Sequence, residues 1–202
     1  GCPTRLSEAQ LAMNGWLDSN PHARLALTTY PSGQSCGAPS AVNVDFPAPG
    51  AANDLVALRT HLAALMPSGG TPTSASLAFV GALPSMQDAS RDRVVVVITD
   101  GLPNCNDTNP NAMCSPAADV AACKCTVGSC YASLCSVGCL DDDGTTQTIT
   151  ALAAQGIETV VVGFGEEANL TTARGVFSRM ALAGGPRDAR VAVDHASLQD
   201  TL

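Results

Sequence analysis

Residues Val94 to Gly101 read VVVVITDG, and this stretch decides the fold class. Consecutive apolar residues without polar alternation are typical of a strand that helices cover on both faces. Val94 to Ile98 is therefore predicted to lie at the centre of a parallel sheet, with a strand on either side. Asp100 follows where this strand reaches the surface. Because open α/β sheets bind ligands at the carboxyl ends of their strands, Asp100 is the first candidate site residue.

A second motif, SGGTPTS over residues 68–74, precedes this strand and leads into an apolar helix predicted over 75–83. Hard cations such as Mg²⁺ take oxygen ligands, use few carboxylates and keep several waters. A threonine and an aspartate on neighbouring loops therefore form half of a plausible metal site, with Thr71 and Asp100 as the predicted ligands. Two alternatives stay open at this point. Asp100 can simply initiate a turn, and Thr73 can cap the helix instead of contacting a metal.

Strands and helices alternate along the whole chain. That alternation predicts one doubly wound α/β domain over residues 1–202, with a mostly parallel sheet and helices on both faces. About 200 residues are enough for one domain with a sizeable core. The predicted strands are 23–30, 41–46, 93–99, 157–164 and 190–193, and the predicted helices are 6–17, 53–65, 75–83, 144–155 and 170–182.

The first predicted helix has no strand before it. If Val94 to Ile98 is buried on both sides, it needs two strand neighbours, and Thr159 to Phe164 supplies one of them. We therefore expect that the first strand is missing from these residues, or that another segment completes the sheet.

Composition and motifs argue against several function classes. The net charge of −8, from 10 basic and 18 acidic residues, argues against a nucleic-acid or anionic-lipid surface. No apolar run reaches the ~18 residues of a membrane span. His22, His61 and His195 are far apart, and no Gly-x-Ser-x-Gly elbow or phosphate-loop Lys-Ser/Thr pair occurs. These patterns argue against a nucleophile elbow and a phosphate-binding loop, and the three histidines are expected to be surface or structural residues.

Seven of the nine cysteines are concentrated in one insertion, residues 103–140, which contains few apolar residues. Such a segment could not offset its own ordering entropy without cross-links, and this cysteine density is typical of an oxidising compartment. The absence of a C-x₂-C pair and of a nearby histidine disfavours zinc. We predict a disulfide-stapled loop at the ligand-binding end of the sheet, with the pairing left open and with a partner upstream of Gly1 for Cys2. The predicted disulfide cysteines are Cys2, Cys36, Cys105, Cys114, Cys123, Cys125, Cys130, Cys135 and Cys139.

The GGTPT loop and the TDG motif, with the helix and strand between them, resemble the von Willebrand factor type A domain. In that family a metal-ion-dependent adhesion site (MIDAS) combines three loops. The resemblance implies that Thr71 is the second-loop threonine and Asp100 the third-loop aspartate. The first loop, Asp-x-Ser-x-Ser, does not occur in these residues. The expected ligand-binding rim around the metal is formed by Gly70, Thr73, Gly101, Leu102 and Pro103.

The resemblance implies a binding protein and not an enzyme. In metal-dependent adhesion an acidic group of a protein or surface ligand completes the coordination of a divalent cation, Mg²⁺ or else Mn²⁺ or Ca²⁺. Further motifs, CPTR before the first helix, ITDGLPNC and CLDDDG, are similar to bacterial surface type A domains such as the outer-membrane lipoprotein adhesins of gliding myxobacteria. That similarity implies a cell-surface location, at the outer membrane or in the periplasm, with a lipid anchor upstream. The alternative is a metal-independent envelope scaffold that disulfides stabilise.

Overall fold

A computed structural model describes residues 4–32, 36–106, 140–185 and 189–202. Cys2 and the six cysteines from Cys114 to Cys139 lie outside the described residues, as does most of the predicted insertion. In chain order the elements are α1 (Arg5–Ser19), α2 (Leu55–Ala64), α3 (Thr73–Gly81), β1 (Arg93–Thr99), α4 (Asp142–Ala154), β2 (Ile157–Phe164), α5 (Thr171–Gly184), β3 (Arg190–Ala192) and α6 (His195–Thr201), with short 3₁₀ turns at Pro84–Met86 and Glu166–Asn169.

The described strands form one parallel sheet in the order β1-β2-β3. Val96 of β1 lies opposite Val160 of β2, and Val162 of β2 lies opposite Arg190 of β3. A parallel sheet with helices confirms the predicted mixed α/β class. The doubly wound arrangement stays a prediction, because the described residues contribute three strands.

Helices pack against both faces of β2. Phe177 of α5 and Ile149 of α4 are fully buried in one cluster with Val161. Ala12 of α1 and Leu198 of α6 are fully buried in another cluster with Val162. Gly163 allows the close approach of α5, since a Cβ at this position would lie 2.8 Å from a ring carbon of Phe177. The apolar β2 sequence is thus explained by burial on both faces.

Among the described strands, β1 pairs with β2 alone. The predicted position of Val94 to Ile98 at the sheet centre, with a strand on either side, therefore stays a prediction. The side chains of Val94 and Val96 are 48% and 46% exposed, whereas Val97 on the opposite face is buried. The reason is that α1 and α6 cover the sheet over β2 and β3, and no described element covers Val94 and Val96.

The predicted strands over 23–30 and 41–46 are wrong as continuous strands. The structure has a single antiparallel bridge there, between Leu27 and Val44. These two residues pack against Leu17 of α1 and Leu58 of α2 in a third apolar cluster, which accounts for the strand-like pattern. Side-chain hydrogen bonds, such as that from the Thr29 N–H to Asn43 Oδ1 at 2.7 Å, take the place of a regular ladder.

The remaining predicted helices and strands are confirmed within a few residues. Thr4 caps α1 and exchanges hydrogen bonds with Ser7 in a capping box, which fixes the start of this helix. The first turn of α4 contains Asp142 and Asp143, which interact favourably with the helix dipole. In the described part of the chain, no helix combines the length and apolar character needed to span a membrane.

Candidate functional site

The turn after β1 presents Asp100 at the carboxyl end of the sheet. Thr99 shapes this turn, because its hydroxyl donates to the Gly101 carbonyl at 2.8 Å and accepts from the Gly101 N–H at 3.3 Å. Thr99 is buried, whereas the Asp100 side chain is 64% exposed. The turn therefore directs the carboxylate to solvent, where a ligand can reach it.

The loop before α3 places Thr71 at the same end of the sheet. Gly69 adopts a φ of 68°, a left-handed conformation that favours glycine, and so the loop can turn toward the helix. The Thr73 N–H donates to the Thr71 carbonyl at 2.9 Å, and the Ser76 hydroxyl donates to the Pro72 carbonyl at 2.6 Å. Thr73 is the first residue of α3 and is 1% exposed.

Asn104 holds the two loops together. Its side-chain oxygen accepts the Thr71 N–H at 2.8 Å, and its own N–H donates to the Thr71 carbonyl at 3.3 Å. The Thr71 hydroxyl oxygen lies 3.5 Å from the position that a Cβ on Gly101 would occupy. The structure thus brings Thr71 beside the Asp100–Gly101 turn. The sequence prediction missed Asn104, because nothing in ITDGLPNC indicates that this amide points to a loop about 30 residues earlier.

The predicted rim residues differ in burial. Gly70 and Pro103 are buried, whereas Gly101 and Leu102 are partly buried. The Pro103 carbonyl accepts the Asp141 N–H at 2.9 Å, and so this segment is tied to the start of α4. The role of these residues in ligand binding stays a prediction.

A disulfide joins Cys36 to Cys105, with the Cα atoms 5.6 Å apart and a sequence separation of 69 residues. It confirms the predicted disulfide role for these two cysteines. Cys105 directly follows Asn104 and is buried. The covalent bond therefore fixes the loop whose asparagine holds Thr71.

The guanidinium of Arg5 forms an ion pair with the Asp100 carboxylate, with Nη1 3.7 Å from Oδ2. Both side chains are about half exposed or more, at 49% and 64%. Exposed pairs of this kind contribute roughly 0–1 kcal/mol, so a competing cation can displace the arginine. Sequence reasoning missed this pair, because nearly half the chain separates the two residues.

The hydroxyl of Tyr30 is buried near the hydroxyls of Thr73 and Thr99. No described group meets the geometry of a hydrogen bond with it. Burial raises the pKa of this phenol above its usual value, and the two threonine side chains oppose part of that increase. Tyr30 thus adds an unsatisfied polar atom beside the predicted metal ligands.

The donor chemistry of this site fits a hard divalent cation. Thr71 and Asp100 provide one hydroxyl and one carboxylate, and Mg²⁺ commonly takes one or two carboxylates while it keeps several waters. In the described ranges, at this site as elsewhere, no group of three or more His, Cys, Asp or Glu side chains is arranged to hold a metal.

No protein-family model and no curated protein matches the sequence. Two crystal structures of the pilus adhesin SpaC from Lactobacillus rhamnosus GG, one of them in the open conformation, are similar in structure. Each superposes with a TM-score of 0.62, over 97% of this chain and 27% of the SpaC chain, at 15% and 16% sequence identity. At this identity the likeness concerns the fold alone. The chain therefore shares the fold of a part of SpaC that amounts to 27% of its length.

Proposed function

We propose that this chain is a cell-surface adhesion domain of the von Willebrand factor type A kind, which binds an acidic group of a protein or surface ligand at the carboxyl end of its sheet. A divalent cation, Mg²⁺ in the first place, takes part in this binding, and Thr71 and Asp100 are its ligands from the described residues. The domain has no enzymatic role in this proposal.

The observation that carries the proposal is the junction of two loops that are distant in sequence. Asn104 accepts a hydrogen bond from Thr71 and donates one back, and this places the threonine hydroxyl beside the turn that holds Asp100. The disulfide of Cys105 fixes the same segment. Such preorganisation lowers the entropy that a binding site loses when its ligand is bound.

A divalent cation with few anionic protein ligands remains electrophilic and attracts an incoming carboxylate. The chain holds the Thr71 hydroxyl and the Asp100 carboxylate in place and exposes the carboxylate to solvent. Leu102 and Gly101, which are partly buried beside this carboxylate, are candidates to contact the ligand. The adhesion role is supported by the similarity to SpaC, which is a pilus adhesin. A location at the bacterial outer membrane, with a lipid anchor upstream, belongs to the same proposal.

A second candidate function is a metal-independent scaffold of the cell envelope. The ion pair between Arg5 and Asp100 favours it, because the carboxylate has a cationic partner without a metal. In this alternative the disulfide only stabilises the fold, and partner binding does not depend on Asp100.

Calorimetric titration with MgCl₂ and MnCl₂ separates the two functions. The metal-dependent function predicts saturable binding that Asp100→Ala abolishes and Arg5→Gln strengthens, since the latter removes the competing cation. Asp92→Ala is the matched control, because Asp92 is an exposed aspartate at the other end of β1. Equal titration curves for the unmodified chain and Asp100→Ala would reject Asp100 as a metal ligand in this chain and favour the scaffold.

A further inference from the structure

The hydroxyl oxygen of Tyr30 is buried beside the candidate site, and no described group meets it in hydrogen-bonding geometry. A buried hydroxyl without a partner opposes folding, and a phenylalanine of the same shape would avoid this penalty. Burial is the largest cause that raises the pKa of this phenol, and the charge of Asp100 raises it further. The phenol therefore keeps its proton at neutral pH and is available as a hydrogen-bond donor.

The segment that contains Tyr30 is tied covalently to the candidate site. Cys36, six residues after the tyrosine, forms the disulfide with Cys105. Cys105 directly follows Asn104, whose side-chain oxygen accepts the Thr71 N–H at 2.8 Å. The disulfide therefore links the segment of the phenol to the segment that holds the predicted metal ligand.

Two threonine hydroxyls lie near the phenol, and they differ in their capacity to accept its proton. The Thr99 hydroxyl donates to the Gly101 carbonyl at 2.8 Å and accepts from the Gly101 N–H at 3.3 Å. The Thr73 hydroxyl donates to the Thr71 carbonyl at 3.5 Å and accepts no hydrogen bond from the described residues. Because a hydroxyl oxygen has two lone pairs, Thr73 is the better acceptor for the Tyr30 O–H.

A hydrogen bond from Tyr30 to Thr73 would act on the loop that contains Thr71. At 3.5 Å the link from the Thr73 hydroxyl to the Thr71 carbonyl is long and therefore weak. A hydroxyl that accepts a hydrogen bond becomes a stronger donor, because chains of hydrogen bonds polarise one another. Thr73 is 1% exposed, so water does not compete for these groups. The Tyr30 O–H can thus strengthen the hold on the Thr71 peptide.

We propose that Tyr30 is a positioning residue of the metal site, which holds Thr71 in place for the cation by donating its O–H to the Thr73 hydroxyl. This inference rests on the proposed function, in which Thr71 and Asp100 bind the cation. Tyr30 acts through Thr73 and is not itself a metal ligand. Its hydrogen bond is completed when the cation binds, so it adds to metal affinity and not to the stability of the metal-free chain.

The first test is a calorimetric titration of the unmodified chain and Tyr30→Phe with MnCl₂. The net contribution of one hydrogen bond corresponds to a rise of about fivefold in the Kd of Tyr30→Phe. In EDTA, the thermal midpoint of this variant should equal or exceed that of the unmodified chain. Tyr131→Phe, at the chain's other tyrosine, is the matched control and should retain the Kd of the unmodified chain.

Tyrosine absorption gives a second reading that does not depend on affinity. The absorption band of a phenol shifts when its hydroxyl gains a hydrogen bond. Saturating MgCl₂ should therefore produce a tyrosine difference spectrum in the unmodified chain and in Tyr131→Phe, but not in Tyr30→Phe.

A double-substitution cycle tests the route through Thr73. Thr73→Val removes the hydroxyl and keeps the shape of the side chain. In this background we expect Tyr30→Phe to leave the Kd unchanged within about twofold, because the acceptor is already gone. A loss of about fivefold in both backgrounds would overturn the route through Thr73.

The inference and the proposed function fail in different ways. If the unmodified chain binds Mn²⁺, Asp100→Ala abolishes binding and Tyr30→Phe retains full affinity, the function stands and the role of Tyr30 is overturned. A lower thermal midpoint of Tyr30→Phe in EDTA would also overturn it, because the hydroxyl would then stabilise the fold itself. If the unmodified chain binds neither Mg²⁺ nor Mn²⁺, the metal-dependent function fails and the role of Tyr30 fails with it.

Discussion

Replacing Asn104 by alanine removes the side chain that holds the Thr71 loop. The Thr71 N–H, which donates to Asn104 Oδ1 at 2.8 Å in a partly buried setting, then loses its acceptor. An unsatisfied buried donor costs about 1–3 kcal/mol, and we expect about 2 kcal/mol here because water has partial access. For a domain of this size such a loss lowers the thermal midpoint by about 4–8 °C. Circular dichroism with parallel urea denaturation measures both quantities.

Asn43→Ala is the matched control for this prediction. Asn43 Oδ1 also accepts a backbone N–H, from Thr29 at 2.7 Å, but in an exposed position where water can replace it. We expect this substitution to cost less than about 1 kcal/mol. If the two alanine variants are equally stable, the view that Asn104 joins the two loops is wrong.

Three further measurements test other parts of the structure. Replacing Cys36 and Cys105 together by serine should lower the free energy of unfolding by about 4 kcal/mol, from the entropy of a loop of 69 residues, as measured in guanidinium. The hydrogen bond with the His195 side chain is the largest cause that lowers the pKa of Glu8. The stability that this pair contributes is therefore present above the usual glutamate pKa and is lost as the pH falls through the lowered value. The difference in thermal midpoint between the unmodified chain and His195→Ala should therefore shrink as the pH falls below about 4.5, and a constant difference would argue against the pair. Tyr30→Phe should leave stability unchanged or raise it by up to about 1 kcal/mol, because it removes a buried hydroxyl that makes no described hydrogen bond.

Local sequence patterns predicted the helices and strands whose apolar residues follow a clear pattern within the element itself. The apolar period of α1 and the continuous apolar run of β2 led to the observed helix and strand, since burial alone sets both patterns. The run of β1 also led to the observed strand, and of its two predicted neighbours the described residues supply one, β2. A sequence shows that a strand is apolar but not which element covers it, and in the described structure Val94 and Val96 are exposed.

The loop residues of the candidate site could be predicted from the sequence, but the contacts that hold the loops together could not. Thr71 and Asp100 were found from loop motifs next to a helix and a strand. Asn104 and Arg5 were not found, because each acts through a contact with a residue far away in sequence. Such contacts depend on tertiary packing, for which neither residue carries a local signal.

The bond between Cys36 and Cys105 also determines how the chain responds to a pulling force. A load applied at the two ends passes through the disulfide and bypasses the polypeptide between the two cysteines. That bypassed stretch contains α2, α3 and β1. The 69-residue separation would otherwise add roughly 240 Å of extended chain. Unfolding under tension in oxidising conditions therefore releases a shorter length than in a reducing buffer, and the segment with Thr71 and Asp100 bears no stretching force while the bond is intact.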